Sequence, residues 1–294
     1  MTLARRTVVL GYRQPLALVP LLTFLEQRAV AGIEQAQNDI YRRSVSLTHG
    51  WGIIELRGEA GRVSCRLELE DARDRTVAVS RCRRLLDLDA DPQTIESSLA
   101  RDGRLRPVVA RQPGLRVPGT LDHEELAIRA VLGQQVSVAA ARTSAARLVG
   151  AYGRPLVQSS GAITHLWPSI EVLAGSDLQE LKVPRARRDT VRNLAGALAD
   201  QRLRLDERAD GDEVREGLLA LPGIGPWTAS YIAMRALKDP DAFMATDLGV
   251  KRGAVALGLP AEPRALESYS QRWRPWRAYA VQYLWAAAEL KGAR

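Results

Sequence analysis

Cysteine is scarce in this 294-residue chain, with Cys65 and Cys82 the two present. Two are too few for a disulfide framework. Both fall in apolar-periodic segments, as expected for reduced core thiols of a cytosolic protein. Histidine is thin as well: His49, His123 and His165 are scattered singly and make no metal site. No apolar run reaches the length of a membrane span, and the N-terminal stretch lacks the shape of a signal peptide. Long low-complexity segments and internal repeats are missing too. These absences exclude a disulfide-stapled secreted module and a helical membrane protein.

Positive charge is in excess. Lys and Arg number 42 against 34 Asp and Glu, for a net charge of +8 and a pI near 9.9. That balance suits a polyanionic partner. An apolar fraction of 46% supports folded cores, and the length suits two domains or three.

Residues 1–112 read as a mixed α/β unit. Thr7–Leu10 and the stretch around Ile53, Ile54 and Leu56 are strand candidates, and Val63, Cys65, Leu67 and Leu69 alternate with polar residues as in a half-buried antiparallel strand. Leu16–Glu26 is a helix candidate; Ala78, Cys82, Leu85 and Leu86 make a second helical face, and Asp91-Pro92 opens a third helix. Two Pro-Gly pairs between Arg111 and Gly119 break any regular element and mark a domain boundary. From residue 113 to 294 the pattern is helical nearly throughout, so the fold class is α+β. Asp122 and Glu125 read as a capping box, and Ser137 as the N-cap of an alanine-rich helix after the polar loop Gly133–Val138. Lys182–Arg188 is a dense basic run, which on composition alone is a solvated face.

The stretch Glu213–Lys251 carries the chemistry. Val214, Leu218 and Leu219 repeat at helical spacing; Pro222 and Gly223 stop that helix, and Pro226 starts the next. Leu221-Pro222-Gly223-Ile224-Gly225 is then a tight turn whose free backbone N–H groups, with the positive end of the following helix dipole, form an anion site. Ile224 anchors the turn, and the glycines admit a close backbone approach. Trp227 and Tyr231 lie four apart on one helical face. Asp247 stands alone as an acid between apolar Phe243-Met244-Ala245 and Leu248, where it can cap the next helix, and Lys251 follows it by one helical turn. A helix–turn–helix corner with packed aromatics is the plain alternative.

LPGIGPWTA at residues 221–229 resembles the hairpin of the helix-hairpin-helix DNA glycosylase superfamily, and most closely that of its AlkA-type members. The likeness continues in Trp273-Arg274-Pro275-Trp276-Arg277-Ala278-Tyr279-Ala280. The resemblance implies a small N-terminal domain set apart from catalysis and two helical subdomains flanking an active-site cleft. It implies that Leu221, Gly223, Ile224, Gly225 and Thr228 grip the DNA backbone, with room for a monovalent cation at the hairpin backbone; Lys251, one helical turn after Asp247, is spaced to pair with that carboxylate or with a phosphate. Gln134 matches the family's glutamine, and Gln135 stands at the position of the residue that wedges into the gap left by a flipped base. Trp227, Tyr231 and Trp285 would line the base pocket, where electron-rich rings favour a cationic alkylated purine. Asp247 would stabilise positive charge developing on the deoxyribose.

Two departures refine this expectation. Trp227 occupies the position at which lyase relatives carry their Schiff-base lysine, and no lysine falls between Leu221 and Leu237. No cluster of four cysteines lies near the C-terminus, so no iron–sulfur cluster and no other cofactor is expected. Leu248 replaces a family aromatic. The expected protein is a monomeric, cytosolic, monofunctional glycosylase that excises alkylated bases from damaged duplex DNA. A glycosylase for oxidised or deaminated bases, or a non-catalytic hairpin DNA-binding protein, is the alternative.

Overall fold

In the computed structural model, residues 3–59, 61–206 and 209–292 are described. Strands β1 (Ala4–Leu10), β2 (Glu34–Gln37), β3 (Ile40–Ser46), β4 (Trp51–Glu59) and β5 (Arg62–Leu69) form an antiparallel sheet in the order β1-β5-β4-β3-β2. The three expected strands fall inside β1, β4 and β5. The β2–β3 hairpin was not foreseen. It turns on Asn38 and Asp39, both at positive φ (53° and 59°), where a two-residue connection suits short polar side chains.

Alternation along β4 and β5 sends Ile54, Leu56, Val63, Cys65 and Leu67 to one face. There they meet Leu21, Leu22 and Leu25 of helix α1 (Leu18–Gln27) and Ala78, Cys82 and Leu85 of α2 (Arg75–Leu85). Both cysteines are free and fully buried in this layer, as expected from their spacing.

Helices α3 (Pro92–Leu99) and α4 (Arg106–Arg111) precede residue 112, yet Ile95, Leu99, Val108 and Val109 share a core with Phe243, Trp273 and Leu284. The C-terminal core thus draws on helices that precede the Pro-Gly stretch, while that stretch itself bonds to the N-terminal unit, Ala17 N–H to Gly114 O and Gly119 N–H to Leu85 O, both at 2.9 Å.

Helix α5 (His123–Leu132) begins at Asp122, whose carboxylate accepts the Glu125 N–H at 2.9 Å. The reciprocal half of the expected capping box does not form. The Glu125 side chain turns inward instead, 1% exposed, and accepts from Arg43 (2.5 Å) and Arg129 (2.8 Å). Arg129 and Arg43 also reach Glu34 at 2.9 and 3.4 Å, and the Tyr41 hydroxyl donates to Glu34. Burial raises the Glu125 carboxyl, but the two arginines outweigh it and hold it below its ordinary range. Two charged arginines are better partners than a single backbone N–H, so the glutamate joins the sheet to the first helix of the C-terminal region.

Helix α6 (Val138–Tyr152) is capped by Ser137, as expected. It is followed by a β-hairpin, β6 (Arg154–Ser160) and β7 (Ile163–Leu166), in a stretch expected to be helical. Its Ile163 and Leu166 pack on Trp51 and Ile53, covering part of the second face of the sheet, and Thr164 N–H bonds to Gly32 O at 2.8 Å. The region from 113 on is therefore helical with one embedded hairpin.

Helices α7 (Ile170–Gly175), α8 (Arg185–Ala199), α9 (Gly211–Leu219) and α10 (Pro226–Ile232) complete one helical core with α5 and α6. Helices α11 (Leu248–Ala256), α12 (Pro263–Ser270) and α13 (Arg277–Gly292) form the other with α3 and α4. The seam is α10 with the π-helical turn that extends it, Ala233–Leu237. Ala229, Ile232 and Ala236 face the first core, while Ala233 and Met234 face the second. No described helix is long and apolar enough to cross a membrane.

Replacing Glu125 by Ala leaves Arg43 and Arg129 short of a buried partner. The expected loss is about 3–5 kcal/mol, because an uncompensated buried charge remains; the urea midpoint of unfolding measures it.

Candidate active site

The turn between α9 and α10 has the geometry its glycines require. Gly223 sits at φ +88°, and a Cβ there would fall 2.0 Å from the Thr190 hydroxyl of α8. Its role is thus a close approach to α8 as well as a positive φ. Gly225 is extended and opens on free space, so the room for an approaching backbone lies at Gly225. Ile224 is buried and anchors the turn, as expected, and Leu221 is half-buried beneath it.

Gln134 and Thr228 are tied to each other across the hairpin. The Gln134 side-chain N–H donates to Gly223 O and to the Thr228 hydroxyl, both at 2.9 Å, while Gln134 O accepts from Arg187 at 2.8 Å. Thr228 is 2% exposed. Together they fasten the Gly133–Val138 loop to the hairpin and to the basic run on α8. Buried polar groups need partners, and here each supplies the other's. Gln135, next in the loop, is exposed at φ +54° and projects beyond this brace.

Asp247 caps α11, its Oδ1 accepting Val250 N–H at 2.8 Å. The same oxygen accepts the Trp285 indole N–H at 2.9 Å, and Oδ2 accepts the Trp227 indole N–H at 2.9 Å. One carboxylate thus joins α10, α11 and α13, and each indole supplies its single donor. Gly249 makes this possible, since a Cβ there would lie 2.8 Å from Trp285 Cδ1 and 3.1 Å from Asp247 Oδ1. Lys251 makes no ion pair with Asp247 among the described residues; the electrostatic influence seen from it is on Glu262. The two indoles take the carboxylate that helical spacing had offered to Lys251.

Trp227 and Tyr231 stack with centroids 5.2 Å apart. Opposite them Trp285 lies parallel to Phe24 of α1, at 6.3 Å. Trp227, Tyr231, Asp247 and Trp285 therefore meet at one cavity of about 790 Å³. Leu248 is 60% exposed and does not line it.

One wall of the cavity was not foreseen. It comes from α1 of the N-terminal domain, which contributes Phe24, and from Arg28 just past its C-terminal end. The apolar stripe of α1 disguises Phe24, since a core residue has the same spacing. Arg235, inside the apolar π turn, is also in the lining, with its guanidinium donating to Pro118 O, Gly119 O and the Tyr231 hydroxyl at 2.8, 2.8 and 2.7 Å. A charged residue in so apolar a run was the signal. Burial pushes the Tyr231 phenol up, but Arg235, Arg28 and Arg129 outweigh it, and its pKa lies below the ordinary value. Among the described residues no three His, Cys, Asp or Glu are grouped to hold a metal ion.

A hairpin, a braced loop beside it and a capped aspartate in an aromatic cleft define the class: the fold is that of the helix-hairpin-helix DNA glycosylases. A 3-methyladenine DNA glycosylase from Archaeoglobus fulgidus superposes with a TM-score of 0.82 at 20% identity, over 98% of this chain and all of that one. The model of the AlkA N-terminal domain matches residues 7–122. The DNA-3-methyladenine glycosylase 2 of Escherichia coli is 32% identical over 270 residues, 90% of this chain and 92% of its own length. The chain belongs to the AlkA family of DNA-3-methyladenine glycosylase 2. A probable bifunctional transcriptional activator/DNA repair enzyme AlkA of Mycobacterium tuberculosis is 52% identical over 95% of this chain, which spans 56% of that relative's length.

Gly249→Ala should push Trp285 off Asp247. A shift or loss of one indole N–H resonance in a ¹⁵N-correlated NMR spectrum reads this out, with a stability cost of about 1–3 kcal/mol from overpacking.

Proposed function

We propose that this chain is a monofunctional DNA N-glycosylase that flips an alkylated base out of duplex DNA and hydrolyses its glycosidic bond, leaving an abasic site. The observation that carries this reading is the Asp247 carboxylate, held by two indole N–H groups and a helix N-terminus on the wall of an aromatic cleft. A base stacked in a duplex is out of reach of such a cleft, so the nucleotide must be extruded. Gln135 fills the vacated space, and the braced hairpin holds the phosphates. As the bond to the base lengthens, positive charge grows on the deoxyribose. Asp247 is a fixed counter-charge for it and orients the water that attacks the sugar carbon.

Hydrolysis of an already activated bond asks for no cofactor. The enzyme works as a monomer in the bacterial cytosol. Damaged duplex DNA is its substrate, and the basic run on α8 lies beside the hairpin to extend the phosphate contact. Trp227 at the lyase position supports hydrolysis over Schiff-base chemistry, because an indole cannot form the imine.

Three outcomes are expected. Asp247→Asn should lower release of 3-methyladenine from methylated duplex DNA by about a hundredfold or more, while DNA binding persists or tightens. Both carboxylate oxygens accept an indole N–H, so an amide must face one of them with its own donors; near-normal turnover of the variant would remove Asp247 from the mechanism. Gly225→Asp adds bulk and negative charge at the open side of the hairpin and should weaken binding of damaged and undamaged duplexes alike, since phosphate contacts carry no sequence information. Product DNA should stay intact until treated with alkali, and borohydride should trap no covalent adduct; a trapped band that disappears on mutating Lys251 would identify a lyase instead.

A further inference from the structure

Arg235 sits in the apolar π turn Ala233–Leu237 and is 7% exposed. Taking a guanidinium out of water is costly unless its donors are met. Here all three of its nitrogens donate: Nε to Pro118 O, Nη2 to Gly119 O and Nη1 to the Tyr231 hydroxyl, at 2.8, 2.8 and 2.7 Å. Two bonds go to the chain connection between α4 and α5, and the third goes to a ring of the aromatic cleft.

The connection is itself held by the sheet domain. Gly119 N–H donates to Leu85 O of α2 at 2.9 Å, and a Cβ on Gly119 would fall 2.3 Å from Arg84 O. Arg84 in turn donates to Ala236 O, beside Arg235, at 3.0 Å. Pro118-Gly119 is thus pressed against α2 on one side and gripped by Arg235 on the other. The guanidinium also lies 4.9 Å from the Phe24 ring centroid of α1 and 5.5 Å from that of Tyr231.

On the cleft side, Tyr231 stacks on Trp227 with centroids 5.2 Å apart, and the Trp227 indole donates to Asp247 at 2.9 Å. The second torsion of a tyrosine is broad, so a charge-assisted bond at its tip narrows the plane of the ring. We infer that Arg235 is a positioning residue for base excision: it sets the Tyr231 ring, and through the Trp227 stack the Asp247 carboxylate, against the docked sheet domain. This rests on the glycosylase reading and deepens it, because it gives the N-terminal unit a part in the reaction. Arg235 itself touches no reacting atom.

The test is single-turnover release of 3-methyladenine from methylated duplex DNA at rising enzyme concentration, which separates the maximal rate from half-saturation. Wild type is compared with Arg235→Met, Arg235→Lys, Tyr231→Phe and the double variants that combine Tyr231→Phe with each arginine change. Arg235→Met should lower the maximal rate about 10–100-fold, the scale of a misplaced reacting group. Binding of undamaged duplex should persist, since the phosphate contacts are made at the hairpin. Arg235→Lys keeps one donor and should recover part of the lost rate. In the Tyr231→Phe background the same arginine changes should cost no more than about twofold, because residues that act through one another are not additive. The Trp227 indole N–H resonance should move in the arginine variants, while that of Trp273, bonded to Asp102, stays. An equal fold-loss with and without the Tyr231 hydroxyl, an unmoved Trp227 indole, or a parallel loss of undamaged-duplex binding overturns the inference. Where thermal melting shows Arg235→Met unfolded, the Arg235→Lys cycle decides by the same criteria. A wild type that binds the methylated duplex and releases no base overturns the glycosylase reading instead.

Discussion

The Asp247 carboxylate holds the site together. Its two oxygens take three donors from three helices, and the arrangement tolerates little change in any of them. A helix cap is an ordinary local device. Here the same atoms that satisfy the start of α11 also fix the rotation of two indoles and thereby set the opening of the aromatic cleft. Removing the carboxylate would cost more than a charge, since Trp227 and Trp285 would lose the acceptor that orients them.

Around that point, three bodies converge. Helix α10 at the seam carries Trp227 and Tyr231, the C-terminal core carries Asp247 and Trp285, and α1 of the sheet domain brings Phe24, with Arg28 just past its end. Their relative placement is fixed by polar as well as apolar packing. Arg129 touches Glu34, Glu125 and the backbone carbonyl of Arg28, so the buried ion network that joins sheet to helix ends at the wall of the cavity. Gln134 does the corresponding work on the other side, where it ties the exposed loop to the hairpin.

Sequence made the hairpin legible because its determinants are local: two prolines, two glycines and a helical repeat on either side suffice. Trp227, Tyr231 and Asp247 were within reach for the same reason, and Trp285 through the resemblance of the segment around it. Other parts depend on contacts distant in sequence. Phe24 looks like any core residue of an amphipathic helix until α13 is seen beside it. Glu125 had the spacing of a capping box, and only the buried Arg43 and Arg129 show why it turned away. The β6–β7 hairpin lacks a clean alternation and is fixed by the sheet it covers. Gln134 and Thr228 stand in segments that the sequence marks out, but the bond between them joins positions 94 apart and could not be read from either segment.

The stacking of Phe24 on Trp285 pairs a ring of the sheet domain with one of the C-terminal helical core across one cavity. Neither unit holds a closed pocket by itself, because each supplies one wall of it. The cavity therefore reports on how the two cores dock as much as on how each one folds.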